Sequence, residues 1–378
     1  MKNVVLAGYV RSPFTPAKKG ELAKVRPDEL AAQTVRALLE RTGVDPADIE
    51  DLIVGCAFPE GEQGFNVARI VGFLADLPLT VAGATVNRFC GSSMQAIHIA
   101  AGAIRWNAGE AFVCAGVESM TRVPMGGFNP LPHPGLYARY PQAFAAMGET
   151  AENLAKQRGI SRRRQEEFAL ESQKKTAAAL AAGRFADEIV PITWKGGKVC
   201  RDGCPRPDST LEGLAELKLA FDEKGTVTAG TSSPVTDGAA ATLVCSEEYA
   251  ERKGLKPLAR IKSFAVSGCQ PELMGIGPVA STRKALARAG LQIGDIDITE
   301  LNEAFASQSL ACIDELGLDP ARVNLDGGAI ALGHPLGASG ARITGKAAAL
   351  LAREGGRYAL ATQCIGGGQG IATILEAV

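Results

Sequence analysis

Apolar residues fall along this chain in two alternating rhythms. Stretches with helical spacing, Asp28 to Arg41, Gly91 to Asn107, Ser281 to Ala289 and Ala338 to Glu354, are separated by short apolar runs of strand length. Each half of the sequence then reads strand, helix, strand, helix, strand, which predicts mainly parallel sheets covered on both faces. The halves also repeat one another. Asp48-Ile49 recurs as Asp295-Ile296 (295 − 48 = 247), and Gly109 recurs as Gly356 (356 − 109 = 247). Both glycines open an apolar run, GEAFVCAG and GRYALATQC, after a long Ala-rich helical stretch. One offset at two well-separated places predicts a duplicated α/β unit.

Between the halves the pattern breaks. From about Thr121 the chain runs through the Pro/Gly-rich VPMGGFNPLPHPG, a charged helix that Ser161 can cap and Gly183 end, and a Gly/Pro-rich segment holding Cys200 and Cys204. DGAAATLVCS, Asp237 to Ser246, reads as a small-residue turn and a buried strand, so the chain returns to its first half near Gly230. The expected organisation is a first half of residues 1–120 and 230–253, an excursion of residues 121–229, and a second half of residues 254–378.

Composition narrows the classes. A chain of 378 residues exceeds what one core usually organises, in keeping with the duplication. The net charge of -1 creates no field that would gather nucleic acid or an anionic bilayer, so an anionic ligand must be met by local groups. The opening Met1-Lys2-Asn3-Val4-Val5-Leu6 has too short an apolar run for a secretory signal, and no stretch approaches the roughly 20 apolar residues of a membrane span. A cytoplasmic location is expected. Nine irregularly spaced cysteines do not read as a disulfide framework and fit a reducing compartment. A reactive cysteine must therefore be singled out by its surroundings.

Cys90 is the first so singled out. In TVNRFCGSSMQAIHIAAGAI an apolar approach meets Cys-Gly-Ser-Ser and then a helical run, so the thiol stands where a helix begins. Unsatisfied N–H groups and the positive end of the helix dipole there favour thiolate, whereas the bland reading is a buried structural cysteine. Of three histidines, His334 in GGAIALGHPLGASGARI has the setting of a base. Pro335 turns it away from the helical region, and Gly333 and Gly337 give its ring room. His98 follows Cys90 on the same helix, about 12 Å further along, and is expected to be packed. His133 falls in the Pro-rich excursion as a loop residue. Cys364 occupies the mirror setting in the second half, at the end of YALATQC and before Ile365-Gly366-Gly367-Gly368, whose N–H groups suit an oxyanion hole or a thioester cradle. Neither a dinucleotide nor a P-loop glycine pattern is present. Asn302, in LNEAFASQ, stands where a strand gives way to a helix, usually the place of a cap.

VNRFCGSSMQA, NEAFASQ, GGAIALGHPLGASGARI and CIGGGQG together resemble the thiolase family, in the family's order and spacing and over essentially the whole chain. The resemblance implies two α/β halves packed as five layers (α-β-α-β-α), with the excursion forming an inserted loop domain over a coenzyme A site. It assigns Cys90 as the acyl-carrying nucleophile, His334 as its activator and Cys364 as a second acid/base. Asn302 would hold a water that, with the His334 ring, makes one oxyanion hole; the N–H groups of Cys90 and Gly366 would make the other. Ser233 matches a position that contacts the pantetheine arm, and Arg206 one near the adenine end. Coenzyme A is then a substrate, and neither a cofactor nor a metal is implied.

Within the family, members that make acetoacetyl-CoA usually carry His before the Met-Gly of AAMGETAENLA, where this chain has Ala146. The wording of GSSMQAIH and CIGGGQGIAT is closer to the degradative 3-ketoacyl-CoA thiolases of β-oxidation. Thiolysis of medium or long 3-ketoacyl-CoA is therefore expected, with acetoacetyl-CoA synthesis as the alternative. Lys218-Leu219 replaces a frequent Arg-Pro near a CoA phosphate. A β-ketoacyl synthase would lack Cys364, and a non-catalytic lipid carrier on this fold would have lost nucleophile or base. The resemblance further implies a homodimer or homotetramer, with a hydratase/dehydrogenase subunit as a further partner. Cys200 and Cys204, without a nearby His or second pair, read as structural rather than metal-binding.

Overall fold

The computed structural model describes residues 2–378. The first half contributes strands β1 (Val4–Arg11), β2 (Asp51–Gly55), β3 (Ala82–Val86), β4 (Ala111–Ser119) and β5 (Thr236–Ser246). The second contributes β6 (Ala259–Gly268), β7 (Ile298–Leu301), β8 (Tyr358–Ile365) and β9 (Gln369–Glu376). Strand order is β3-β2-β4-β5-β1 in the first half and β6-β9-β8-β7 in the second, and Thr15–Pro16 pairs at the edge of β5. The two sheets touch edge to edge only where Val5 and Leu6 meet Arg260 and Ala259. The 247-residue offset carries Asp51 of β2 to Ile298 of β7 and Ala111 of β4 to Tyr358 of β8, the first residue of each strand.

The expectation of mainly parallel sheets needs correction. β2 runs parallel to β3 and β4, and β7 to β8, but β5 is antiparallel to both its neighbours and β9 to both of its own. Connection length accounts for this. β8 and β9 are joined by three glycines, too few for the crossover that a parallel pair needs. β5 is the strand on which the chain comes back from its excursion.

Five layers follow from the strand period of two. In β2, Leu52 and Val54 face outward onto helices α1 (Pro27–Thr42) and α2 (Val67–Leu74), while Ile53 faces inward. In the second half Leu360, Ala372 and Ile374 face outward with Ala285 and Leu286 of a helix over Gly277–Ala289, while Ala359, Ala361 and Ile371 face inward. Both inward faces close on helices α3 (Ser92–Arg105) and α4 (Leu336–Glu354), whose Met94, Ile97, Ile104, Ile343, Ala347 and Leu350 form one buried cluster. A Cβ on Gly340 would overlap the Met94 backbone, so the two central helices approach backbone to backbone there.

Between β4 and β5 lie helices over Met147–Arg158 and Arg162–Ala181; Ser161 caps the latter, its Oγ accepting from Arg164 N, and Gly183 follows its end with φ of 68°. Among the described residues no helix is long and apolar enough to cross a membrane.

Candidate active site

Cys90 sits in the turn between β3 and α3. Asn87 Oδ1 accepts from Phe89 N at 2.8 Å, Ser92 Oγ accepts from Arg88 N at 2.9 Å, and Phe89 is held at a positive φ of 42°. Non-glycine residues seldom adopt that conformation, and a site that over-determines its backbone is where such strain persists. Gly91 is glycine because a Cβ there would stand 2.6 Å from Ile365 Cδ1. That close approach brings the end of β8 against the turn. Gln363 Nε2 donates to Cys90 O, and the N–H groups of Gly366 and of Cys90 itself point at the Cys90 sulfur.

Those N–H groups favour the thiolate, yet burial outweighs them and pushes the Cys90 thiol up to about 12, with Glu118 adding to the rise. The sequence expectation of a resting thiolate at the helix start is therefore overturned: desolvation exceeds the dipole, and the thiol waits protonated for a base. Cys364, buried beside it at the end of β8, is raised well above its ordinary value, first by burial and next by the neighbouring Cys90.

His334 occupies the turn before α4. Gly333 takes φ of 102°, and a Cβ on it would meet Thr236 at 2.8 Å and Cys204 Sγ at 3.1 Å. His334 N donates to Thr236 Oγ1 at 3.1 Å. Its Nδ1 lies 2.5 Å from Ser339 Oγ, whose single proton is donated to Pro335 O at 3.1 Å. With that proton on Pro335 O, Ser339 accepts from Nδ1–H and the lone pair stands on Nε2, 3.4 Å from the Asn302 Nδ2 donor. Burial, with Arg342 second, pulls His334 down to about 3, so the ring rests as a neutral base. Leu336 of the same turn packs in one apolar cluster with Cys90, Ala57 and Met120.

Asn302 is not a helix cap. It directly follows β7 with its N–H donated to Thr362 O at 3.0 Å, and its buried Oδ1 has no hydrogen-bond partner among the described residues. An orphaned acceptor of this kind suits a donor such as water. Ser233 is half-buried, its N–H donated to Ala304 O, two residues beyond Asn302. Arg206 is exposed on the loop that carries Cys204, its N–H donated to Gln173 Oε1 at 2.8 Å. Ala146 precedes the helix of Met147, and Met147 Sδ lies 3.5 Å from where a Cβ on Gly366 would stand.

The other histidines lie elsewhere. His98 Nε2 is 2.8 Å from Thr373 Oγ1, and its ring stacks on Phe264 at 4.2 Å. His133, expected as a plain loop residue, caps a short helix over Pro134–Arg139, its Nδ1 accepting from Leu136 N at 3.1 Å. Sequence reasoning missed Ser339, Thr236 and Gln363. Ser339 was reachable, five residues after His334 in the first turn of a helix, and Gln363 adjoins Cys364, although its bond to Cys90 O links residues 273 apart; Thr236, at the start of β5, carries no local signal.

Two halves built on one plan, with a thiol from each meeting near a neutral imidazole, define a duplicated α/β enzyme scaffold with paired cysteines. Residues 4–248 match the family described as thiolase, N-terminal domain, and residues 255–377 that described as thiolase, C-terminal domain; the chain belongs to the thiolase family. It is 46% identical over 389 residues to a 3-ketoacyl-CoA thiolase of Bacillus subtilis (strain 168) and 49% identical over 388 residues to one of Shewanella frigidimarina (strain NCIMB 400), with 100% of each chain covered. The crystal structure of human mitochondrial 3-ketoacyl-CoA thiolase superposes with a TM-score of 0.92 at 39% identity, covering 100% of this chain and 99% of that one.

Proposed function

We propose that this protein is a 3-ketoacyl-CoA thiolase, cleaving 3-ketoacyl-CoA with CoA into acetyl-CoA and an acyl-CoA shortened by two carbons. The observation that carries the reading is the meeting of Cys90 and Cys364 under the Gly366 N–H, with His334 in the turn whose Leu336 packs with Cys90. His334 Nε2 takes the Cys90 proton as the sulfur attacks the 3-keto carbon. The new alkoxide is received by fixed donors, each worth several kcal/mol in a dry site. The C2–C3 bond then breaks, the pair passes to an acetyl-CoA enolate, and Cys364 protonates that carbanion. The resulting Cys364 thiolate takes the proton of an incoming CoA, whose sulfur attacks the acyl-Cys90 thioester and restores the thiol on His334's returned proton.

Asn302 Oδ1, lacking a protein partner, supports a water held beside the His334 ring as one oxyanion hole, and the Cys90 and Gly366 N–H groups form the other. Ser233 and Arg206 line the pantetheine and adenine ends of the CoA path. Ala146, with no polar ring to offer, and Met147 beside Gly366 support an apolar acyl path and hence β-oxidation substrates. All nine cysteines are free, which supports a reducing, cytoplasmic setting. The working form is a homo-oligomer, and a hydratase/dehydrogenase subunit supplies its substrate.

Incubation of the purified protein with acetoacetyl-CoA and with a longer 3-ketoacyl-CoA, each with CoA, tests the reading by loss of the 3-ketoacyl absorbance. Turnover of the longer substrate is expected. Failure with both ends the proposal, and a strong preference for acetoacetyl-CoA reassigns the enzyme to acetoacetyl-CoA metabolism.

A further inference from the structure

Glu118, the penultimate residue of β4, is fully buried and faces the middle layer, yet it has no ion-pair partner among the described residues. Its carboxylate instead collects N–H groups. Oε2 accepts from Ala57 N at 2.8 Å and Gly337 N at 2.9 Å; Oε1 accepts from Phe58 N at 3.3 Å and Gln63 Nε2 at 2.9 Å. Gln63 is locked in that orientation because its Oε1 accepts from Ser119 N at 2.6 Å. Four N–H donors converge on a group with nothing to donate, so the site is built for the anion and for no neutral isostere.

The donors belong to two different walls of the active site. Ala57 O accepts from Asn87 Nδ2 at 3.0 Å, and Asn87 Oδ1 in turn holds Phe89 N, so this bond leads to the Cys90 turn. Gly337 stands three residues after His334 and two before Ser339. It has no slack: a Cβ on it would lie 2.6 Å from Val117 O and 2.8 Å from Cys56 Cα. We propose that Glu118 is a positioning residue that fixes the separation of Cys90 from His334 by binding the Ala57–Phe58 loop of one half and the Gly337 turn of the other. The inference rests on the thiolase reading above. Its negative charge near Cys90 raises the thiol's pKa, so its electrostatics do not help activate the nucleophile and its contribution lies in geometry.

Glu118→Gln keeps the size but sets an NH2 against backbone donors. With the wild type assayed alongside, kcat for thiolysis is expected to fall about 10- to 100-fold with KM within about twofold, the signature of misplaced reacting groups. Leu350→Ala, which hollows the same middle layer away from the site, serves as the control: Tm falls at least as far while kcat at 25 °C is unchanged. If Glu118→Gln does not fold, Gln63→Met removes one donor, and its kcat is expected to drop by about threefold at constant KM. Wild-type kcat in the variant that folds, or a loss carried by KM instead, overturns the proposal. An inactive wild type points to a different failure, that of the thiolase reading itself.

Discussion

At the scale of single residues the site is a pair of reluctant ions. Burial holds the Cys90 thiol up at about 12 and His334 down at about 3, so proton transfer between them awaits the substrate. Replacing Cys90 with Ser puts a still weaker acid in the same place. Thiolysis is expected to fall by roughly 10³-fold or more, and the wild type given 3-ketoacyl-CoA without CoA should yield a Cys90-acylated peptide by mass spectrometry. Acid stability follows from the same burial. His334 and His98 both have folded pKa values of about 3, below the 6.5 of an exposed imidazole. The unfolded chain therefore binds protons that the folded one refuses, and stability is lost as pH falls from about 6.5 toward 3. At pH 5 each ring costs up to about 2 kcal/mol. Urea midpoints measured at pH 7 and pH 5 should differ less in His98→Leu than in the wild type; equal differences would refute the assignment.

At the scale of elements, glycines set how closely segments approach. Gly91 lets β8 press Ile365 onto the Cys90 turn. Gly91→Ala is expected to cost about 1–3 kcal/mol and to depress turnover, and adding Ile365→Val should restore part of both. Denaturation curves and kcat for the single and double variants test that coupling. The elements themselves were largely legible. Apolar spacing located α3 and α4 within two residues at their first residues, Ser92 and Leu336, because amphipathic periodicity is a local signal. Strand direction was not. β5 reads as an ordinary buried strand, and nothing in its composition says that it runs against its neighbours.

At the scale of the whole molecule, buried charge joins the excursion to the second half. Asp326 is held at about 2 despite its burial by Arg353, Lys346 and Arg184, and Lys346 also reaches Glu188, which binds Arg11 of β1. Asp326→Asn leaves three cations facing a neutral amide. A loss of about 3–5 kcal/mol is expected in chemical denaturation, as for other broken buried pairs. A change below about 1 kcal/mol would mean that the network tolerates the loss by admitting water.

The sequence by itself determined the duplication and the helices and singled out three side chains whose chemistry suits the proposed reaction, because periodicity, turn residues and motif spacing are properties of short segments. It also singled out Asn302 and the glycines after Cys364. What only the tertiary structure decided was how the pieces bear on one another: the mixed sheet directions, the protonated resting state of Cys90, and the Glu118 carboxylate strung between the two halves. The last two depend on segments distant in the chain meeting in a space from which water is excluded, and burial of that kind is not written at any single position in the chain.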